Sequence, residues 1–300
     1  VTGDGKLQTH LTGQFSPVSP LTISAGATFD IFGRSNLVNC LNVTTVGGLS
    51  GSGRVDNSNS GGGFGDNVAV LVVNNTTDTT FNGLIVLGNG IALVKSNSAT
   101  LTLTGTNSYS LGTTVVSGKL LLNNTAGSGT GSGAVIVKDG AAIGGTGTIT
   151  GNTTIESGGI LAPGASAGVF HTGNLTLQDN AVYEWEFGPG SAKDSVVVNG
   201  ALTMGSTAIL KLVDLGGDAS GTNVLFRYTG ADPVNPTWLL DFTAAPSWSG
   251  GEVILDAANN QVLLAGVVIP EPATGMLVTL GIAGAILLQS RQRAKRGTTL

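Results

Sequence analysis

Short apolar strands recur along this chain, each followed by a Gly or Asn corner and then by a second short strand. Leu21–Ile23, Leu41–Val46, Val70–Val73 and Ala92–Val94 open the series. Thr114–Val116, Val135–Val137, Thr154–Ile155, Leu175–Leu177 and Val196–Val198 continue it. Corners fall at Gly26, Gly48, Asn75, Asn97, Gly118, Gly140, Gly158, Asn180 and Gly200, at intervals of 18 to 27 residues. A steady period near this size marks a solenoid, because one unit is too short to bury its own apolar face and stacked units share a core. Gly and Asn suit the corners since they tolerate positive φ. Val, Ile, Leu and Thr suit parallel strands stacked over an interior. The pattern predicts an all-β chain wound as a right-handed parallel β-helix, one coil per period. At ~4.8 Å between strands, nine coils span ~38 Å. A β-sandwich also has short strands, but its turns repeat every ~8–12 residues, about half the spacing found here.

Beyond Gly216 the period fades. Glu252–Leu255 and Gln261–Leu264 flank an Asn-rich turn at Asp256–Asn260, which predicts a hairpin. Trp185, Trp238, Trp248, Phe226, Tyr228 and Phe242 crowd into this late part of the chain. A solenoid needs its last coil covered so that bare strand edges do not recruit other chains. The chain is therefore divided into N-terminal solenoid coils at 1–98, a repeat region at 99–215, a β cap at 216–267 and a tail at 268–300. The tryptophans are read as packing, with a sugar-binding cleft as the alternative.

The tail has its own pattern. Pro270-Glu271-Pro272 is followed by an uncharged run from Ala273 to Gln289, then by Arg291, Arg293, Lys295 and Arg296. Seventeen residues of helix reach ~25 Å, the short limit for a hydrocarbon core of about 30 Å. Met276–Leu288 offers no polar face for packing on a soluble domain. The four cations are expected to stay in the cytoplasm as a membrane stop, leaving everything before Pro270 outside. A transmembrane α-helix is thus expected at 273–289, in the inner membrane. The chain begins at Val1 with no basic or apolar leader, so an N-terminal signal peptide is expected to be missing from it.

Composition narrows the partners. With those four cations set aside, nine Lys+Arg stand against eighteen Asp+Glu, a balance of −9. No nucleic-acid partner is expected for such a surface, since that binding requires clustered Lys and Arg. Charged residues are 10% and hydrophobic residues 41%, which excludes a charge-driven disordered polymer. The single Cys40 cannot form an internal disulfide and reads as buried filler.

Two resemblances follow from these residues. The tail resembles a PEP-CTERM sorting domain, through Pro270, Glu271 and Pro272, the short apolar segment and the Arg-rich end. That resemblance implies export in a Gram-negative bacterium that secretes exopolysaccharide. It also implies recognition and cleavage by an exosortase, a membrane-embedded cysteine protease-like transpeptidase. The second covers Thr100 to Leu212. Gly105–Ser110, Thr113–Asn124, Gly144–Gly151 and Leu161–Gly168 are similar to autotransporter-associated β-strand repeats, which form β-helices and serve adhesion or surface display. No C-terminal outer-membrane barrel pattern accompanies them.

Chemistry is sparse. Gly164, Ser166 and Gly168 match the G-x-S-x-G elbow, which needs a following helix and a downstream acid and His. Two glycines bound the next few residues and only His171 follows, so the motif reads as a turn between coils. His10 and His171 make no metal set, and no cofactor or metal is expected. Glu184 and Glu186 share one strand face, with Tyr183, Trp185 and Phe187 on the other. That pair is read as solvent face; with Asp179 it is also a candidate glycosidase or calcium site. Gly127–Gly133 fits no phosphate loop and reads as flexible. The expected function is non-enzymatic: an exported structural or adhesive surface protein associated with exopolysaccharide. The alternative is a carbohydrate-binding or carbohydrate-active β-helix using Glu184, Glu186 and Trp185.

Overall fold

The computed structural model describes residues 1–9, 16–31, 42–58, 68–86, 90–164 and 166–269. They form an all-β parallel solenoid of about eight turns with almost no helix. Strands run in chain order around each coil. The first coils hold β1 (Lys6–Thr9) and β2 (Pro20–Ile23), then β3 (Thr28–Ile31), β4 (Asn42–Val46) and β5 (Gly48–Gly51). They continue with β6 (Arg54–Asp56), β7 (Ala69–Asn74), β8 (Thr79–Phe81), β9 (Leu84–Ile85), β10 (Ile91–Ser96) and β11 (Thr100–Leu103). The middle coils hold β12 (Thr113–Val115), β13 (Lys119–Leu122), β14 (Val135–Val137), β15 (Ala142–Gly145), β16 (Thr153–Ile155) and β17 (Ile160–Pro163). Next come β18 (Val169–Thr172), β19 (Leu175–Leu177), β20 (Ala181–Phe187), β21 (Ser195–Val198), β22 (Leu202–Met204) and β23 (Thr207–Asp214). The last four are β24 (Asn223–Tyr228), β25 (Thr237–Ala244), β26 (Ser249–Asp256) and β27 (Gln261–Val268).

These strands stack into long parallel faces. One is an eight-stranded sheet from β4 to β22, and another is a ten-stranded sheet from β2 to β25. Ten strands at ~4.8 Å extend ~43 Å. Along the first face an inner column runs Val46, Val73, Lys95, Val115, Val137, Ile155, Leu177 and Met204, each opposite the next in register. Seven of the eight are apolar and buried, as the alternating strand pattern requires. The exception is Lys95.

The predicted corner between these two faces is present, and Asn97, Gly118, Gly140, Gly158 and Asn180 hold positive φ there; Gly26 also has positive φ but follows β2, at the far end of the ten-stranded face. Gly48, Asn75 and Gly200 lack it: Gly48 begins β5, Asn75 is buried with its Nδ2 donating to the Thr77 and Thr100 carbonyls, and Gly200 stands ahead of β22, at the entry to the eight-stranded face.

The coil also has a third face, which the two-strand unit omits. Its first part is β1-β3-β6-β9 and its last part β18-β21-β24-β27-β26. Between them the face has no regular strand. Asn107 takes over, accepting from the Ile85 N–H and donating to the Gly129 carbonyl. Gly127–Gly133 lies on this same stretch and is packed, not loose. Ser128 and Thr130 are buried, and a Cβ on Gly131 would sit 1.8 Å from the Tyr109 carbonyl oxygen. The expectation of a flexible loop is corrected: glycine is needed there because two backbones touch.

At the C-terminal end the parallel stack stops. β27 pairs antiparallel with both β24 and β26, closing the third face with a hairpin whose turn residue Asn260 has φ 53°. Tyr183, Phe187, Phe226 and Trp248 pack beneath it, with ring centroids 4.8 Å apart for Tyr183–Phe226 and 5.9 Å for Phe187–Trp248.

Candidate functional site

The outer surface, not the core, holds the chemistry, and β20 shows how the strand sorts it. Its seven residues alternate, so Tyr183, Trp185 and Phe187 point inward while Glu184 and Glu186 point out. Glu184 pairs with Lys211 of the next coil at 2.8 Å, and Asp241 follows Lys211 in register. Glu186 is half-buried. Burial raises its pKa, Lys119 opposes that shift, and the charge of Glu184 adds to it.

Trp185 does not belong to this surface. It is fully buried, its Nε1–H donates to the Asp194 carbonyl at 2.8 Å, and its ring meets Phe187 at 5.2 Å. A sugar cannot stack on it, so its place in the carbohydrate-binding alternative is corrected. The strand period that puts the glutamates outside puts the indole inside.

Asp194, which sequence reasoning passed over, lies behind β20. Its carboxylate accepts the Gly168 N–H at 2.7 Å and the Glu186 N–H at 2.8 Å, tying the loop after β20 to two coils. Burial pushes this carboxyl up to about 8, against those two donors and Lys119, with the Glu186 charge assisting. Nearby, Lys193 donates to the buried Asn223 side chain and lies over the Phe187 ring.

Asp179 is committed locally. Its Oδ1 accepts from the Ser206 N–H and hydroxyl and from the Thr207 N–H, which hold the carboxyl below its usual range. Among the described residues no three His, Cys, Asp or Glu side chains gather as a metal site. A shallow cleft of about 370 Å³ borders Asp179, edged by Ser157, Gln178, Thr203 and Gly205.

The G-x-S-x-G residues occupy a turn. Gly164 has φ 82°, Ser166 is exposed, and the chain continues into β18 instead of the helix a nucleophile elbow needs. His171 sits within β18, bridged to Thr148. His10, Cys40, Pro270, Glu271, Pro272, Arg291, Arg293, Lys295, Arg296 and the apolar run 273–289 lie outside the described residues. Among the described residues no helix is long and apolar enough to cross a membrane.

What the exterior repeats is uncharged polarity. Neighbouring coils are linked by Thr22–Ser50 at 2.8 Å, Ser96–Asn74 at 3.1 Å, Thr104–Asn82 at 2.8 Å and Asn174–Asn152 at 3.0 Å. Each link leaves hydroxyl and amide groups facing water at rung spacing, a surface able to exchange hydrogen bonds with a hydroxyl-rich polymer.

No family model matches the chain. Over 161 residues, 51% of its length, it is 32% identical to the adhesin BmaC autotransporter of Brucella suis biovar 1 (strain 1330). The chain spans about 5% of that protein's length.

Proposed function

We propose that this chain is a non-enzymatic, exported surface protein: a stiff adhesin-like rod that meets exopolysaccharide along its outer faces. The observation that carries this reading is the parallel solenoid formed by the described residues, with uncharged hydroxyl and amide rungs outside. Similarity to an autotransporter adhesin over half the chain supports it. The coil is taken as right-handed, the sense nearly all parallel crossovers adopt. The tail resemblance supplies the sorting route: residues 273–289 hold the chain in the inner membrane while Arg291, Arg293, Lys295 and Arg296 remain cytoplasmic. An exosortase then reads Pro270, Glu271 and Pro272 and releases the rod to the surface or matrix. In cells, Glu271→Ala combined with Pro272→Ala is expected to leave the chain in the membrane fraction while the parent reaches the surface. Equal surface display of both would remove the sorting claim, and a rod that fails to sediment with the producer's polysaccharide would remove the adhesive one.

One observation favours a second reading, a carbohydrate-active face. Glu184 and Glu186 share the outward face of β20, Glu184 ion-paired with Lys211 and Glu186 half-buried with its pKa raised by burial, two carboxyls in different surroundings. Polysaccharide turnover abolished by Glu186→Gln would favour it; no turnover by the parent would dispose of it.

A further inference from the structure

The outer face of the eight-stranded sheet has a composition that a solvent face does not need. One outward column reads Thr45, Val72, Val94, Thr114 and Ile136, consecutive in register across β4, β7, β10, β12 and β14. Beside it stand Val43 and Val70, and Val116 on the other flank is 45% exposed. The outward residues of these five strands carry no charge; the first ions on this face are Lys138 and Glu156, which neutralise each other at 2.6 Å. The other faces are different. The ten-stranded sheet shows Lys119, Glu184, Glu186 and Lys211 outside, and the third face shows Lys6, Arg54 and Asp56.

We propose that this face is a self-association surface, on which a second copy of the chain packs sheet to sheet about a two-fold axis. Size and charge both select that partner. Five rungs by three outward columns occupy roughly 24 Å by 20 Å, so two such faces in contact bury on the order of 1,000 Å², the floor for a specific interface. Two copies of a net acidic chain repel wherever their charges meet, and on these rungs the described ion, Lys138 beside Val116, is already paired with Glu156. Flat β-branched faces interdigitate at about 10 Å, as in β-sandwiches. A glycan is a poorer fit for the Val72 and Val94 centre of this face, which offers no aromatic platform; its polar groups, Thr45, Thr114 and the Asn74–Ser96 pair, stand around those valines.

In a two-fold arrangement the middle rung lies nearest the axis, and that rung is β10, carrying Val94. The test uses the full chain in mild detergent, with Cys40→Ser as background because Cys40 is its single cysteine. Oxidation of Val94→Cys is expected to give a disulfide-linked dimer, and oxidation of Thr102→Cys, outward on the ten-stranded sheet, is expected to give none. By light scattering, Val116→Lys should halve the particle mass while leaving the β-sheet circular dichroism unchanged, because this side chain already reaches solvent. If Val116→Lys unfolds, the cysteine pair still decides the matter. A parent chain that is monomeric at every concentration reached, or cross-linking as strong at Thr102→Cys as at Val94→Cys, would overturn the proposal. So would mass lost only on adding lipid vesicles, which would make the face a membrane contact.

Discussion

Two buried ionisable side chains set opposite pH responses in this rod. Lys95 takes a core position between Val73 and Val115, and its ammonium donates to the carbonyls of Ser96, Asn97 and Ser117 at 2.8, 2.8 and 3.1 Å. It caps a corner from inside. Burial lowers its pKa from 10.5 to about 8, with Asp78 opposing. The unfolded chain therefore binds more protons than the fold between those values, and stability from this group rises as pH climbs from about 8 to 10.5. Lys95→Met should cost about 1–3 kcal/mol at neutral pH by leaving three carbonyls without their donor. Urea midpoints at two alkaline pH values should then show the parent gaining on the variant. Asp194 works the other way. Its folded pKa is raised from 3.8 to about 8, chiefly by burial, so its contribution is complete below 3.8 and disappears as pH rises through about 8. Asp194→Asn should flatten the loss of thermal midpoint between pH 5 and pH 9; a variant that loses as much as the parent would show that the carboxyl is ionised throughout.

Elements join through glycines of two kinds, and the distinction is measurable. Gly140 sits at a corner with φ 68° and nothing within 4 Å of its missing Cβ. Gly140→Ala therefore meets only left-handed backbone strain, about 1–2 kcal/mol. Gly131 has a similar φ of 66° but lies against the Tyr109 carbonyl, so an added Cβ must displace another coil's backbone. Gly131→Ala should cost more than about 4 kcal/mol or prevent folding; equal melting of the two variants would refute the close-contact argument. This is also where sequence reading ran out. Six corners were legible because Gly and Asn stand where the chain turns left-handed. The third face was not, because β9 has two residues and the stretch after it is held by Asn107 instead of a strand. Likewise the outward glutamates of β20 follow from period two, whereas the burial of Asp194 depends on Gly168 and on the loop that folds back over β20. Lys95 carried a usable signal, since aligning the repeats sets one cation in a column of Val, Ile, Leu and Met.

At the scale of the whole molecule, a solenoid must end without inviting the next chain to continue it. The third face ends in the β26–β27 hairpin, laid antiparallel on β24 and anchored by Val262 and Leu264, both buried. The ten-stranded sheet ends in β25, where pairing with β23 is interrupted between Lys211 and Val213 and Asp241 sits on the strand. An irregular, charged edge is a poor template for further strands, and a hairpin occupies the one it covers. Dislodging the hairpin should therefore free β24 to recruit other chains before the rod itself unfolds. Leu264→Asp buries a charge beneath the hairpin, whereas Leu120→Ala opens a cavity in the middle of the ten-stranded sheet at a cost of about 2–5 kcal/mol. Both should lower the unfolding midpoint. Only the first should raise light scattering at temperatures where β-sheet circular dichroism is still native, because coils in a linear stack depend mainly on their neighbours and a loosened end leaves the middle folded. Equal scattering from the two variants below their midpoints would show that aggregation follows lost stability alone and that the hairpin protects no edge.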